Sequence, residues 1–356
     1  MRILVVGSGG REHALAWKIS KSPLVRALFA APGNPGIADV ATLVPLDVRD
    51  VEEVARWARE SRIDLVVVGP EAPLVAGLAD RLGKDGVPAF GPRAAAAEIE
   101  GSKAFAKDVM AAAGIPTAEY AAFTELAPAA AYARARGGKV VVKADGLAAG
   151  KGVVVCSGGD EAEAALRSML VEKAHGTAGA KVVVEERLEG PEASCICFTD
   201  GERVRLLAAA QDHKRIFDGD RGPNTGGMGA FSPTPNVTPA VAAMVERDVL
   251  LPAVRELARR GRPFRGALYA GLMLTSRGPR VLEFNARLGD PETQPILMRL
   301  SSDIVPALLA SAQGDLSATA LEFDARAAVG VVLAAEGYPG KVATGDAISG
   351  LEGPFP

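Results

Sequence analysis

Short runs of aliphatic residues alternate with amphipathic segments along the first hundred residues. Residues 3–6 and 65–68 are uninterrupted apolar runs, whereas residues 51–60 repeat apolar side chains at helical spacing. Strands that alternate with helices in this way predict a parallel, doubly wound sheet, whose ligands bind at the carboxyl ends of the strands. The loops at those ends are rich in glycine, and they comprise residues 7–13, 33–36 and 69–73. We therefore expect a binding site at this edge.

The pattern changes after the first hundred residues. A helix is predicted at 103–113, followed by strands at 140–143 and 152–156, a second helix at 160–171 and a strand at 182–185. The two strands before the second helix flank a glycine-rich loop. This arrangement indicates a small α+β domain that can act as a lid.

Longer, paired strands follow the lid. Residues 267–275 and 279–287 flank the turn Ser276-Arg277-Gly278, which predicts a hairpin and an antiparallel sheet in a third region. A helix is predicted near 302–313, and a further strand begins the last segment at 327–334. The chain is therefore predicted to be a multidomain protein with α/β and α+β parts.

Composition and charge narrow the class of protein. At 356 residues the chain is long enough for two or three domains, and its 48% hydrophobic and 23% charged residues are typical of a soluble globular protein. A formal net charge of −3 gives no general attraction to nucleic acid or to an anionic membrane. No apolar run approaches the roughly 20 residues that span a bilayer. Cys156, Cys195 and Cys197 are predicted to be thiols in a reducing cytosol, so we expect a cytoplasmic protein.

The strand predicted at 281–287 carries polar side chains on a single face. With a period of two, Glu283, Asn285 and Arg287 point to one side and apolar residues to the other. Burying three polar groups is costly unless they bind something. A carboxylate and an amide oxygen suit a magnesium ion that also takes phosphate ligands, and an arginine suits a carboxylate or a phosphate. An exposed edge strand is the alternative.

The first glycine-rich loop, residues 7–13, follows a strand and opens a helix. Its glycines let the backbone approach an anion, which the free N–H groups of a helix start can bind. A nicotinamide dinucleotide site is the rival interpretation, but Glu12 stands where that motif has its third glycine. In addition, no acidic residue ends the second strand at Ala30-Ala31 to hold a ribose. A smaller phosphorylated substrate or a purely structural turn fits better.

A second glycine-rich segment, residues 143–152, contains a Gly-Lys pair but does not match a P-loop. Asp145 stands at the first glycine position, Gly152 follows the lysine where serine or threonine is needed, and a strand follows instead of a helix. The segment is predicted to be a flexible hairpin that closes over a triphosphate, with Lys143 as a point charge. A solvated hairpin without a ligand is the alternative.

Two further segments suit a nucleotide or another anionic ligand. The strand end at 182–192 can expose backbone groups to an adenine edge and offer a carboxylate to ribose hydroxyls, although an ordinary acidic strand end has the same character. Basic groups at 211–215 precede a glycine-dense loop at 222–229, which suits an anionic substrate or a simple surface loop. No Ser-His-Asp or Cys-His arrangement is recognisable, so covalent catalysis by the protein is disfavoured.

In order along the chain, these segments resemble the ATP-grasp superfamily, which combines an N-terminal α/β domain, a glycine-loop lid, a Glu-Glu-x-Leu-x-Gly-x-Glu hinge and a Glu-x-Asn strand. Within that superfamily, the chain resembles the phosphoribosylamine–glycine ligase family. The segments that carry the resemblance are GSGGREHALAW, GNPG, GPEAPL, DHKR, GPNTGGMGAFSP and RLGDPETQ, of which the last is the most specific. The likeness runs from the first residue to the last.

The resemblance implies an ATP-dependent carbon–nitrogen ligase of purine biosynthesis that uses Mg²⁺ or Mn²⁺. ATP would phosphorylate the carboxylate of glycine, and the amine of 5-phosphoribosylamine would attack the acyl phosphate. A monomer or a weak dimer is expected. The implied domains are an N-terminal α/β substrate-binding domain at 1–101, an ATP-grasp central domain at 102–122 and 191–326, an ATP-grasp lid at 123–190, and the start of a C-terminal domain at 327–356 that is expected to be truncated.

The resemblance also implies roles for individual residues. The residues expected to bind ATP are Lys103, Lys143, Gly146, Gly150, Lys151, Gly152, Glu185, Glu186, Leu188 and Glu192. The expected metal ligands are Glu283 and Asn285, and the expected catalytic residues are Arg287, Asp212 and Lys214. The expected substrate-binding residues are Gly10, Asn34, Gly36, Glu71, Asn224, Gly289 and Asp290.

One departure from the superfamily concerns the metal. Relatives often place a second acidic ligand on the preceding strand, but here that strand reads Tyr269-Ala270-Gly271-Leu272-Met273, without a carboxylate. A second metal would therefore need more phosphate or water ligands. Three alternatives stay open: another ATP-grasp carboxylate–amine ligase, a nicotinamide-dependent oxidoreductase, and a shortened chain that binds ATP but is inactive.

Overall fold

The computed structural model describes residues 1–147, 152–174 and 176–350. Its first part alternates strands and helices. The elements are β1 (Arg2–Gly7), α1 (Gly10–Ser20), β2 (Ala27–Pro32), β3 (Thr42–Leu43), α2 (Val51–Glu60), β4 (Leu65–Val68), α3 (Glu71–Val75), α4 (Leu78–Lys84), β5 (Ala89–Phe90) and α5 (Ala94–Gly101). The strands pair in parallel in the order β3-β2-β1-β4-β5. The predicted doubly wound sheet is confirmed, because β4 is buried along its whole length as a central parallel strand should be.

The second part is the small α+β unit predicted as a lid. Helix α6 (Lys103–Ala112) precedes this unit and packs outside its core, in the apolar cluster that contains Leu268 and Val281. The elements of the unit are β6 (Tyr120–Phe123), α7 (Leu126–Ala135), β7 (Val140–Ala144), β8 (Val153–Val155), α8 (Gly159–Leu170) and β9 (Val182–Glu186). The sheet, which we call the lid sheet, is antiparallel in the order β6-β9-β7-β8. Helices α7 and α8 contact each other, and residues such as Ala133, Val142 and Leu166 form a separate core there. The sequence analysis misses β6 and α7, because an alanine-rich segment has little amphipathic contrast.

The third part carries the longest strands. Its elements are β10 (Glu192–Thr199), β11 (Val204–Leu206), β12 (Gln211–Asp212), β13 (Arg215–Phe217), β14 (Arg221–Asn224), β15 (Gly229–Ser232), α9 (Pro239–Val245), α10 (Leu251–Arg259), β16 (Gly266–Thr275), β17 (Gly278–Asn285), α11 (Thr293–Arg299), α12 (Ile304–Gln313) and β18 (Ala328–Val331). The predicted antiparallel sheet is confirmed in the order β11-β10-β16-β17. A π-helical segment, Glu246–Leu250, joins α9 to α10.

Two details of the third part differ from prediction. Thr275 pairs with Gly278, so the hairpin turn consists of Ser276 and Arg277 and is one residue shorter than expected. The strand predicted at 327–334 is limited to β18, which pairs with β15 in the sheet β12-β15-β18. Both differences concern the ends of elements, where fraying and turn geometry outweigh the hydrophobic pattern.

The N-terminal sheet packs against the central antiparallel sheet. Phe90 at the end of β5 contacts Phe198 of β10, with ring centroids 4.9 Å apart. Both residues lie in one apolar cluster with Tyr269. In this packing α5 lies next to β17, and residues of the two elements are in contact. Within the described ranges, none of the helices combines the length and apolar character needed to cross a membrane.

Candidate active site

A cavity of about 540 Å³ is lined by the lid sheet, helix α6 and the hairpin of β16 and β17. It brings together most of the predicted site residues from distant parts of the sequence. They are Glu71, Lys103, Lys143, Gly146, Gly152, Glu185, Glu186, Leu188, Glu192, Asp212, Lys214, Asn224, Glu283, Asn285, Arg287 and Asp290. Gly150 and Lys151 lie outside the described residues. The other four predicted residues, which are not among those lining this cavity, are Gly10, Asn34, Gly36 and Gly289.

Strand β17 supplies Glu283 and Asn285 to the cavity. The strict two-residue alternation predicted for 281–287 is wrong at Leu282, because a β-bulge interrupts the pairing with β16 at that residue. The carbonyl of Leu282 instead accepts a hydrogen bond of 2.8 Å from Nζ of Lys143. The irregularity therefore joins β17 to a lysine of the lid sheet.

Glu283 and Asn285 offer oxygen atoms that fit a divalent metal. Burial raises the pKa of the Glu283 carboxyl, but nearby lysine ammonium groups, Lys214 foremost, bring that pKa below its ordinary value. The carboxylate is therefore ionised at neutral pH. Its neighbour on β16 is Gly271, in agreement with the carboxylate-free strand noted in the sequence. Among the residues that the structure describes, no group of three or more His, Cys, Asp or Glu side chains could hold a metal alone, so phosphate or water ligands would have to complete the site.

The buried carboxylate of Glu185 lies between two lysines. Its Oε2 atom is 3.0 Å from Nζ of Lys143 and 3.1 Å from Nζ of Lys107. Burial lowers the pKa of Lys107 to about 8, although the charge of Glu185 opposes this shift. The sequence analysis misses Lys107, because this lysine lies on helix α6 among apolar residues such as Ala106 and Val109 and belongs to no motif. Lys107 is consequently a buried cation of the cavity that was not predicted.

Asp145 connects the glycine-rich loop to the start of helix α6. Its Oδ1 atom accepts hydrogen bonds from Oγ of Ser102 and from N of Ala104, both at 2.9 Å. Nζ of Lys103 donates to the carbonyl of Gly146 at 3.1 Å, and burial lowers the pKa of this lysine. The first residues of the loop and the lysine predicted to bind phosphate are thus held in one arrangement.

Arg287 is paired with two carboxylates from the N-terminal part of the chain. Its Nη2 atom is 3.1 Å from Oε1 of Glu100, and its Nε atom is 3.4 Å from Oε2 of Glu71. Burial lowers the pKa of the guanidinium, but the two carboxylates raise it by more, so the net shift is upward. Glu100 is a second residue that the sequence analysis misses, because one acidic residue near the end of an alanine-rich helix has no recognisable pattern.

A group of ionisable side chains surrounds Lys214. Its Nζ atom is 3.1 Å from Oε2 of Glu192 and 3.8 Å from Oδ2 of Asp212. Burial raises the pKa of Asp212 to about 7, with Lys214 opposing the rise and Glu292 adding to it. Glu292 itself is buried and accepts a hydrogen bond of 2.9 Å from the hydroxyl of Tyr269. These residues form a titratable cluster in the same cavity as Glu283 of β17.

The N-terminal glycine loop faces the turn that follows β17. A Cβ atom on Gly10 would lie 2.8 Å from Nε2 of Gln294, and one on Gly9 would lie 3.4 Å from Oδ2 of Asp290. The nearby Gly289 also has no room for a side chain, because its Cβ would lie 2.4 Å from a carboxylate oxygen of Glu292. Side chains of the turn therefore lie against the first glycine loop, while Gly289 is packed against Glu292 of its own turn.

Asn34 and Gly36 shape the second glycine loop. The side-chain amide of Asn34 donates to the carbonyl of Ser8 and accepts from N of Ile37, both at 2.9 Å. A Cβ atom on Gly36 would lie 2.5 Å from Cε1 of His13. Asn34 thus connects the second loop to the first, which places both loops on the same edge of the parallel sheet.

The fold and the site together define an ATP-grasp protein. A lid sheet and a central antiparallel sheet surround a cavity that contains buried lysines and a Glu-x-Asn strand. Among solved structures, the biotin carboxylase domain of the 2-oxoglutarate carboxylase from Hydrogenobacter thermophilus matches with a TM-score of 0.71 and 19% identity over 92% of this chain and 73% of that chain. At that identity, the likeness concerns the fold alone.

Sequence comparison narrows the class to one family. The family model for the N domain of phosphoribosylglycinamide synthetase matches residues 1–100, and the model for its ATP-grasp (A) domain matches residues 101–293. The chain belongs to the phosphoribosylamine–glycine ligase family and is an ATP-dependent ligase. The predicted family and class of enzyme are therefore confirmed.

The similar proteins cover almost the whole chain. The phosphoribosylamine–glycine ligase of Agrobacterium fabrum is 55% identical over 340 residues, which are 96% of this chain and 80% of that protein. The enzyme of the same name from Allochromatium vinosum is 56% identical over 99% of this chain and 83% of its own length. The crystal structure of the Thermotoga maritima phosphoribosylamine–glycine ligase matches with a TM-score of 0.84 and 31% identity, over 95% of this chain and 82% of that chain.

Proposed function

We propose that this chain uses ATP to join glycine to 5-phosphoribosylamine, giving glycinamide ribonucleotide, ADP and phosphate. The observation that carries the proposal is the cavity that collects Glu283 and Asn285 with Lys103, Lys143 and Arg287. A pair of proposed metal ligands, two ammonium groups and a guanidinium in one cavity suit phosphoryl transfer to a small carboxylate.

ATP is proposed to lie along the cavity with its phosphates under the glycine-rich loop. The hydrogen bonds from Lys103 to Gly146 and from Lys143 to Leu282 support this orientation, because both ammonium groups lie between the loop and β17. The further residues proposed to bind ATP are Gly146, Gly150, Lys151 and Gly152 at the phosphates, Glu185, Glu186 and Leu188 at adenine, and Glu192 at the ribose.

Mg²⁺ or Mn²⁺ is proposed to bind Glu283 and Asn285. When bound, the ion would neutralise charge on the phosphates of ATP. The lowered pKa of Glu283 supports this role, because an ionised carboxylate is the form that binds a divalent cation. Asn285 adds a neutral oxygen on the same strand.

Arg287 is proposed to bind the carboxylate of glycine and then the acyl phosphate. Its Nε atom is a buried donor without a hydrogen-bond acceptor in the described part of the chain, although Glu71 lies 3.4 Å away. A buried donor of this kind is costly unless a ligand pairs with it. The carboxylate of glycine would supply that acceptor.

5-Phosphoribosylamine is proposed to lie between the N-terminal glycine loops and the turn at 289–294. The closeness of Gly9 to Asp290 and of Gly10 to Gln294 supports this placement, because it brings the first glycine loop and the turn to one side of the site. The residues proposed to contact this substrate are Gly10, Asn34, Gly36, Glu71, Asn224, Gly289 and Asp290, with Asp212 and Lys214 near the reacting amine.

The chemistry needs position and charge rather than a protein nucleophile. A carboxylate oxygen of glycine attacks the γ-phosphorus of ATP and ADP leaves. The amine nitrogen of 5-phosphoribosylamine then attacks the carbonyl carbon, the carbon–oxygen bond to phosphate breaks, and the nitrogen loses a proton. Asp212 is proposed to accept that proton, because its pKa of about 7 allows it to change protonation state near neutrality.

The domain division stated above, with its lid at 123–190, is proposed to hold for this enzyme. The separate apolar core of the lid sheet supports treating that segment as a unit. A monomer or weak dimer and a cytoplasmic location stay predictions.

Release of ADP with glycine and with 5-phosphoribosylamine generated in situ tests the proposed function. We expect ADP release only when ATP, glycine and the amine are all present. ADP release that is unaffected by glycine would contradict the proposal. A panel of other carboxylates and amines distinguishes a related ligase, and tight NADH binding that ATP does not alter would favour the oxidoreductase.

A further inference from the structure

Lys107 is the most deeply buried cation of the cavity wall and has no role in the reaction as described. Its side chain is 2% exposed, and its Nζ atom donates to Oγ1 of Thr117 at 2.7 Å. The hydroxyl of Thr117 in turn donates to the carbonyl of Val281 at the start of the polar stretch of β17. Lys107 is therefore fixed from two sides, by Thr117 and by Glu185.

The ion pair with Glu185 has a specific geometry. Both Lys107 and Lys143 approach the same oxygen, Oε2, at 3.1 Å and 3.0 Å. The other oxygen, Oε1, is buried and has no hydrogen-bond partner among the described residues. An unpartnered buried carboxylate oxygen is costly, and it fits an acceptor that a ligand donor completes.

The cavity that contains Glu185 offers apolar residues to a flat base. The residues that line it together with Lys107 and Glu185 include Met110, Val141, Leu188, Met273 and Leu282. Adenine carries a 6-amino group that can donate to a carboxylate. Its ring needs only apolar contact.

We propose that Lys107 is a positioning residue that makes the enzyme recognise the 6-amino group of the nucleotide base, by holding Glu185 with Oε1 turned to that group. The inference rests on the proposed placement of adenine and adds a residue that does not itself contact the base. Lys107 is needed in addition to Lys143, because phosphate would draw the Lys143 ammonium away from the shared oxygen. Without Lys107, Glu185 would then be a buried carboxylate without a counter-ion.

The test compares two ligands that differ only at the 6-amino group. Dissociation constants of ADP and of purine riboside 5′-diphosphate, which lacks this group, are measured by calorimetry with Mg²⁺ present. We expect the enzyme to bind ADP about tenfold to a hundredfold more tightly, as expected for one hydrogen bond to a charged group. Lys107→Met should bind the two ligands almost equally, mainly through loss of ADP affinity.

Glu185→Gln should also lose the preference. The two ammonium groups would attract the amide oxygen and leave the NH₂ group facing the 6-amino group. Because Lys107 is proposed to act through Glu185, the double variant Lys107→Met/Glu185→Gln should have the same ratio as Glu185→Gln alone. Lys103→Met is the matched control, since this half-buried lysine donates to the loop carbonyl of Gly146 and forms no ion pair with Glu185 among the described residues. This variant should bind both ligands more weakly and keep the ratio of their dissociation constants.

The inference would be overturned if Lys107→Met kept the wild-type ratio of the two dissociation constants. It would also be overturned if the two substitutions changed that ratio independently in the double variant. If Lys107→Met does not fold, Thr117→Val removes the hydroxyl that holds the ammonium and should reduce the ratio, so an unchanged ratio in that variant would overturn the inference as well. These measurements need no turnover. Failure of the ligase reaction would therefore leave the base preference measurable, and loss of the base preference would leave the ligase reaction testable.

Discussion

Nη2 of Arg287 lies 3.1 Å from Oε1 of Glu100, and the other oxygen of Glu100 accepts a hydrogen bond of 2.7 Å from N of Ala286. One carboxylate at the end of helix α5 thus holds both the side chain of Arg287 and the backbone beside it. The contact joins the N-terminal part of the chain to the residues that follow β17.

Glu100→Gln should weaken glycine binding more than it slows turnover. The neutral amide loses the charge attraction that orients Arg287, so KM for glycine should rise about tenfold while kcat falls less, in line with the loss of one charge-assisted hydrogen bond. Steady-state kinetics at saturating ATP measures both constants. Glu98→Gln on the same helix is the control, because Glu98 pairs with Arg262 and is not among the residues lining the cavity. An unchanged KM for glycine in Glu100→Gln would contradict this role.

Glu283→Gln should weaken binding of the metal–nucleotide complex by about tenfold or more and change the thermal midpoint of the free protein much less. The carboxylate is proposed to be the charged metal ligand, and an amide in its place binds a divalent cation more weakly. Titration of Mn²⁺ with ADP, followed by electron paramagnetic resonance, measures metal binding directly. An equal loss of stability without nucleotide, together with unchanged Mn²⁺ binding, would assign Glu283 a structural role.

Asp145→Ala should raise KM for ATP about tenfold. The change removes the acceptor for Ser102 and Ala104, so the glycine-rich loop loses its connection to helix α6. The matched control is Asp160→Ala, which alters an exposed carboxylate on helix α8 of the same lid. If Asp145→Ala and Asp160→Ala had the same KM for ATP, the connection between the loop and helix α6 would have no part in ATP binding.

The stability of the enzyme should depend on Asp212 between about pH 4 and about pH 7. The folded-state pKa of this group is raised from 3.8 to about 7, so its stabilising contribution is complete below the unfolded-state pKa and is lost as pH rises through the folded-state pKa. The thermal midpoint of Asp212→Asn, compared with that of the wild type, should therefore increase across this range. A difference between the two thermal midpoints that stays the same at every pH would contradict the raised pKa.

The sequence predicts the fold and the strand β17 well, because both depend on local patterns. The buried run Leu65–Val68 and the helix Val51–Glu60 are found at the predicted residues, since length and periodicity define them. Glu283 and Asn285 share a strand and a spacing, so their common role can be predicted. The bulge at Leu282 could not be predicted, because it depends on how β17 pairs with β16.

Lys107 and Glu100 show what local patterns do not contain. Each lies on a helix whose neighbours are mostly apolar, and each partner lies far along the chain: Glu185 for Lys107 and Arg287 for Glu100. A single sequence gives no signal that connects such positions. Three-dimensional packing alone reveals that these charges are buried and paired, and therefore that they belong to the site.

Transfer of ¹⁸O from glycine tests the central claim most directly. If a carboxylate oxygen of glycine attacks the γ-phosphorus and its bond to carbon is later broken by the amine, that oxygen must leave with phosphate. Mass spectrometry of the phosphate formed from carboxyl-labelled glycine, ATP and 5-phosphoribosylamine should find one labelled oxygen in each phosphate released. Unlabelled phosphate formed together with the amide product would contradict a glycyl phosphate intermediate.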